Sequence, residues 1–165
     1  MLTIVALLLA TAFPSASKTS WMSPQSFRLT IGMPRVEAVG VLESGGWGIK
    51  KGRNDDEIII DYSEGRAMTL DFRGDRLRSV RFELFATLPE VRAAFDEQKS
   101  VLRKEHGEPK KQARNHPIIV YDDRLPNIMV VLSDDPQSDY GKKGVGYLAV
   151  RYYDPVASAI RPHRP

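Results

Sequence analysis

The sequence predicts an α+β fold: an antiparallel β-sheet made of two three-stranded meanders, with two helices packed on one face. Three observations predict it. Between residues 58 and 85, apolar side chains fall on alternate positions: Ile58, Ile60, Tyr62, then Met68, Leu70, Phe72, then Val80, Phe82, Leu84. This period of two marks half-buried strands. The intervening Asp61, Ser63, Thr69, Asp71, Arg73, Ser79, Arg81 and Glu83 are polar, so one side of the meander is dry and the other wet. Finally, a helix-forming stretch precedes this strand cluster and a longer one precedes a second cluster. A one-sided sheet needs such a cover.

The chain opens with a run of apolar and small residues at 2–13, followed by Pro14 and the small residues Ser15, Ala16 and Ser17. That length suits the apolar core of a secretory signal peptide and is too short to span a bilayer. Residues 1–17 read as a signal peptide, although no lysine or arginine precedes the run; cleavage after Ser17 or after Ala12 both satisfy the small-residue rule. Residues 18–27 read as a polar linker. Residues 28–154 read as one domain with helix-plus-meander halves at 28–85 and 86–154, and 155–165 as a flexible tail.

Pro34 suits the start of a helix, and Val36, Val39 and Leu42, with Ala38 and Val41, form its apolar face until Gly45 stops it. Gly40 weakens this helix by about 1 kcal/mol relative to alanine, so the helix depends on packing. In the meander, parity favours three-residue loops: Ser63 facing Ala67, with Ile60 opposite Leu70 and Ile58 opposite Phe72; then Arg73 facing Leu77, with Leu70 opposite Val80 and Met68 opposite Phe82. Thr87 and Glu90 have capping-box spacing, and a helix follows to His106. Its stripe is Val91, Ala94, Phe95, Val101 and Leu102, interrupted by Gln98, and Gly107 and Pro109 end it. Three further strands fall at 118–122, 128–133 and 145–153. The second is apolar on both faces and therefore interior.

Within the first half, Leu29-Thr30-Ile31-Gly32-Met33-Pro34-Arg35-Val36-Glu37-Ala38-Val39, followed by a glycine-rich loop and the meander, resembles the SmpA/OmlA (BamE-like) envelope proteins and the β-lactamase-inhibitor-protein architecture. The likeness covers residues 29–85. It implies helices on one face of an antiparallel sheet and a role in binding other proteins, and it carries over no functional residues. The chain has no cysteine, so it lacks the lipid-attachment residue of BamE-type proteins and can form no disulfide or thiolate metal site.

Twenty-four basic against 21 acidic residues, scattered along the chain, do not make the dense basic stripe of a nucleic-acid binder. His106, His116 and His163 lack the spacing of a helical zinc site, and no nucleophile elbow or phosphate-binding loop occurs. The acidic groups Asp55-Asp56-Glu57, Asp122-Asp123 and Asp134-Asp135 have no EF-hand spacing; no metal and no cofactor is assigned. Arg73-Gly74-Asp75 is read as a turn.

These features point to an exported, non-enzymatic protein-binding module, periplasmic or secreted, acting as an envelope accessory or inhibitor-like binder. Its partner is another protein of the cell envelope. Trp47, set between glycines, is read first as closing one end of the core and second as an interface anchor. The other candidate contacts are Asp135, Tyr140 and Lys142, in the long polar loop 133–144. The alternative is a small-ligand or carbohydrate-processing protein using Asp61, Asp71 and Arg81 on the wet face. There the two carboxylates would act as acid and base, although Arg81 beside them favours a surface ion-pair network.

Overall fold

The computed structural model describes residues 19–63, 65–112, 118–121, 126–137 and 141–158. Two helices, α1 (Arg35–Ser44) and α2 (Leu88–His106), each precede a short strand and a meander. After α1 come β1 (Lys50–Lys51), β2 (Glu57–Ser63), β3 (Arg66–Arg73) and β4 (Arg76–Thr87). After α2 come β5 (Lys111–Gln112), β6 (Ile118–Tyr121), β7 (Asn127–Ser133) and β8 (Val145–Tyr153), then a short α3 (Pro155–Ser158). The expected pair of meanders is one continuous antiparallel sheet in the order β1-β2-β3-β4-β8-β7-β6-β5. The last strand of each half pairs with the other at the centre, from Ser79 opposite Tyr153 to Thr87 opposite Val145.

Leu70 opposes Val80 and Met68 opposes Phe82, as expected, but the loops differ. Arg73 pairs with Arg76 across Gly74-Asp75, a two-residue turn, and a bulge between Asp71 and Phe72 absorbs the extra residue. A bulge keeps parity where a tight turn alone would invert it. The same device lies between Asp61 and Ser63, so Ile58 opposes Leu70 and Ile60 opposes Met68, two residues from the expected register. The dry face survives because a shift of two preserves side-chain parity.

Met68, Leu70, Val80, Phe82, Leu148 and Val150 of the central strands lie in one core cluster with Ala38 and Leu42 of α1 and Val91, Ala94, Phe95 and Leu102 of α2. Val36, expected on the apolar stripe of α1, is instead 82% exposed. In α2 the Glu90 carboxylate accepts from the backbone N–H of Thr87 at 3.1 Å and from its hydroxyl at 2.7 Å. That helix packs against β8, β4 and β7.

Residues 19–27 are not a linker. Met22 is fully buried, Phe27 nearly so, and Trp21 packs edge-on against Phe82 at 6.0 Å. Pro24–Phe27 forms a 3₁₀ turn, and the Tyr152 hydroxyl donates to the Met22 carbonyl at 3.1 Å. Of the expected tail, α3 is described; the expected signal peptide lies outside the described residues. No described helix is long and apolar enough to cross a membrane.

A Cβ on Gly146 would stand 2.3 Å from Val91 Cγ2, so β8 needs a glycine where α2 crosses it. Gly146→Ala is expected to lower unfolding free energy in urea by about 1–3 kcal/mol. Gly48→Ala, where a Cβ meets nothing within 4 Å, is expected to change it by less than about 0.5 kcal/mol.

Candidate functional site

Two surfaces carry Trp47 and the polar-face residues that the sequence singles out. The first is a cleft of 590 Å³ between the 3₁₀ turn and α1, lined by Ser26, Phe27 and Arg28 on one side and Glu37, Gly40, Val41 and Ser44 on the other, with Trp47 at its end. Glu37, Gly40, Val41 and Ser44 are spaced to share one helix face. Trp47 packs its ring on Phe27 at 5.2 Å with a 54° tilt, and Phe27 in turn packs on Phe82 at 5.7 Å. The backbone N–H of Trp47 donates to the Leu42 carbonyl at 3.1 Å, so the α1 terminus holds this residue in place. Trp47 is half-buried: it joins the core through Phe27 and still lines open space. Arg28 has left-handed backbone geometry with φ 56°, which non-glycine residues adopt at a cost.

Asp135 and Lys142 do not join this surface. Asp135 accepts from the Gln137 N–H at 2.8 Å in a loop between β7 and β8, and Lys142 lies in the 3₁₀ turn Gly141–Lys143 of the same loop. In the sheet, β2, β3 and β4 separate β1, which follows Trp47, from β8; at one strand spacing each that is roughly 19 Å. Tyr140 lies outside the described residues.

The second surface is the sheet face opposite the core. Asp61, Asp71 and Arg81 are on it but are not assembled. Asp61 pairs with Lys50 Nζ at 2.7 Å near the β1 edge. It opposes Ala67, four residues along β3 from Asp71, so the two carboxylates stand roughly 14 Å apart along the strand direction. A glycosidase pair is about 5–9.5 Å apart. The acid–base arrangement is therefore absent from these residues.

What occupies the middle of this face is an ion-pair network, as Arg81 beside the carboxylates leads one to expect, but with partners that the sequence does not announce. Arg81 lies directly opposite Arg151, a like-charge pair that is unfavourable on its own. Carboxylates flank it on both sides. Arg81 Nε stands 3.5 Å from Glu83 Oε2, and Arg151 Nη2 stands 3.7 Å from Asp71 Oδ2. The Ser79 hydroxyl donates to Asp71 at 2.5 Å and accepts from Arg151 Nε and Nη2 at 3.3 and 3.2 Å. The Glu83 carboxylate accepts from the hydroxyls of Thr69 at 3.2 Å and Tyr147 at 2.9 Å. Burial, then the neighbouring Glu83 charge, pushes the Tyr147 phenol well above its ordinary range, so it acts as a neutral donor. Arg151 also lies over the Tyr153 ring at 5.5 Å. Two arginines balance two carboxylates, so the cluster closes on itself rather than presenting a net charge to a ligand.

Among the described residues, no group of three or more histidine, aspartate or glutamate side chains is placed to hold a metal ion. No protein-family model, no curated protein and no solved structure matches the chain.

The network predicts unequal roles for its two arginines. Arg151→Met is expected to lower unfolding free energy by about 1–2 kcal/mol, because the Ser79 and Asp71 partners lose a charged donor. Arg81→Met is expected to cost less than about 1 kcal/mol, since its ion pair is half-exposed and its removal relieves the like-charge contact. Urea unfolding of the two variants measures both.

Proposed function

We propose that this chain is an exported, non-enzymatic protein-binding module of the bacterial envelope, with a BamE-like or β-lactamase-inhibitor-like arrangement. In this reading α1 and α2 share the core face of the sheet, residues 1–17 are removed on export, and the partner docks at the Trp47 cleft. The half-buried Trp47 ring beside Phe27 carries the reading. Tryptophan is enriched among interface hot spots, and such anchors work best against a supported, water-excluding floor. Phe27, backed by Phe82, is that floor.

Gly40 supports the same reading. A Cβ there would meet nothing within 4 Å, so neither packing nor a left-handed backbone requires glycine at this helix position. An interior helical glycine costs about 1 kcal/mol relative to alanine. A partner backbone passing close over α1 accounts for its presence. The sheet edges favour the cleft as well: β1 and β5 are two residues long and carry Lys50, Lys51 and Lys111. Short, lysine-bearing edges discourage pairing with an added strand.

The cleft can be blocked without removing any core contact. Gly40→Ala is expected to raise unfolding free energy by about 0.5–1 kcal/mol, and Gly40→Leu to stay folded while filling the space above α1. A partner recovered from envelope extract by the parent protein is expected to be lost with Gly40→Leu and with Trp47→Ala and kept with Lys142→Ala, circular dichroism confirming that each variant is folded. Binding that survives both cleft variants overturns this site.

A further inference from the structure

We propose that the occupant of the Trp47 cleft is an amphipathic α-helix of the partner protein, lying along α1 with a basic residue toward Glu37 and an acidic one toward Arg28. This names the partner of the site proposed above and rests on that reading.

Shape sets the direction. Glu37, Gly40, Val41 and Ser44 form one wall, so the space runs along the axis of α1 from Glu37 to Ser44, roughly 10 Å. Val36, one turn before Gly40, is 82% exposed and extends this apolar contact beyond the cleft itself. Packed helices stand about 8–10 Å apart, and a glycine at the crossing point permits the short end of that range. An apolar stripe on the incoming helix then meets the Phe27 and Trp47 rings.

The walls have little backbone to offer a partner. Along the 3₁₀ turn, the N–H groups of Ser26, Arg28 and Leu29 donate to the carbonyls of Ser23, Gln25 and Pro24. At the end of α1, the N–H groups of Gly45, Gly46 and Trp47 donate to carbonyls of the helix itself. The Ser26 hydroxyl donates to the Ser20 carbonyl and the Ser44 hydroxyl to the Gly40 carbonyl, each at 2.7 Å. An extended segment pressed against these walls would bury amides that find no partner, and each such group is costly. A helix satisfies its own backbone and brings only side chains to the groove.

Charge orients this helix and disfavours a second copy of the chain. Arg28 and Glu37 are both exposed and stand on opposite walls, so complementary residues belong on opposite flanks of the occupant. The α1 of a second copy lacks that pattern. Its exposed charges are Glu37 and Glu43, and its Arg35 is drawn toward Asp56 at 3.9 Å. Two α1 helices lying in each other's clefts would bring carboxylates together, which is unfavourable.

The test places a photoreactive benzophenone amino acid at Val36 or at Glu43, both exposed and neither lining the cleft. The two positions are seven residues apart on α1, roughly 10 Å. After irradiation of whole cells, mass spectrometry maps the adduct sites on the partner. A helical partner is expected to give sites about six to eight residues apart on one segment, whereas an extended one gives sites about three residues apart. Glu37→Lys is expected to lower the yield of the Val36 adduct about fivefold, and Arg28→Glu to do the same, with circular dichroism confirming that each variant is folded. Sites about three residues apart, or a yield unchanged by both charge reversals, overturn the charge-matched helix and leave the cleft standing. A benzophenone at Lys142 that captures a partner while neither α1 position does overturns the cleft reading beneath it.

Discussion

The pairing of β4 with β8 is the contact on which the rest of the structure depends. A three-stranded meander with one apolar face is a marginal unit, because half of its surface and both of its edges still need partners. Joining the final strand of each half removes two of the four edges and makes one dry surface. Across that joint Val80 meets Tyr152, Phe82 meets Val150 and Leu84 meets Leu148. The length of β4 follows from this role, since its register with β8 extends to Thr87, the residue that caps α2. Strand pairing and helix initiation are thus coupled at a single residue.

The same joint has a cost on its other side. Bringing the strands together in the register that the core requires sets Arg81 opposite Arg151. Asp71, Ser79, Glu83 and Tyr147 offset that repulsion, and they can do so because the sheet places them in adjacent rows. A charge cluster on a sheet invites a catalytic reading, yet here the carboxylates are engaged by the arginines and hydroxyls around them. The geometry therefore directs attention to the cleft, where an aromatic ring keeps part of its surface uncovered.

How much of this was legible in the sequence depended on how local each signal is. The meander strands and α2 could be read because a period of two, a capping box and a terminal glycine act within a few residues. The β2–β3 register could not, because a bulge between Asp61 and Ser63 compensates for a tight turn and leaves only parity, not pairing, written in the pattern. β1 and β5 are too short to have a period. The turn at 19–27 reads as a linker because Ser20, Ser23, Gln25 and Ser26 dominate its composition, although Met22 and Phe27 are what it buries. On the polar face, parity correctly put Asp61, Asp71 and Arg81 on one side. Their true neighbours could not be inferred, because Arg151 and Tyr147 come from the other half of the chain. A tryptophan between glycines fits core or surface equally in the sequence, and the half-buried place of Trp47 in the cleft lining joins the two.

The N-terminal turn ties the cleft to the core. Its Phe27 floors the cleft and packs on Phe82, Ser26 lines the space beside it, and the carbonyl of Met22 accepts from the Tyr152 hydroxyl at 3.1 Å. One wall of the cleft is thus anchored to β4 and β8, the two strands whose pairing joins the halves. A wall ordered before a partner arrives reduces the entropy that binding must overcome.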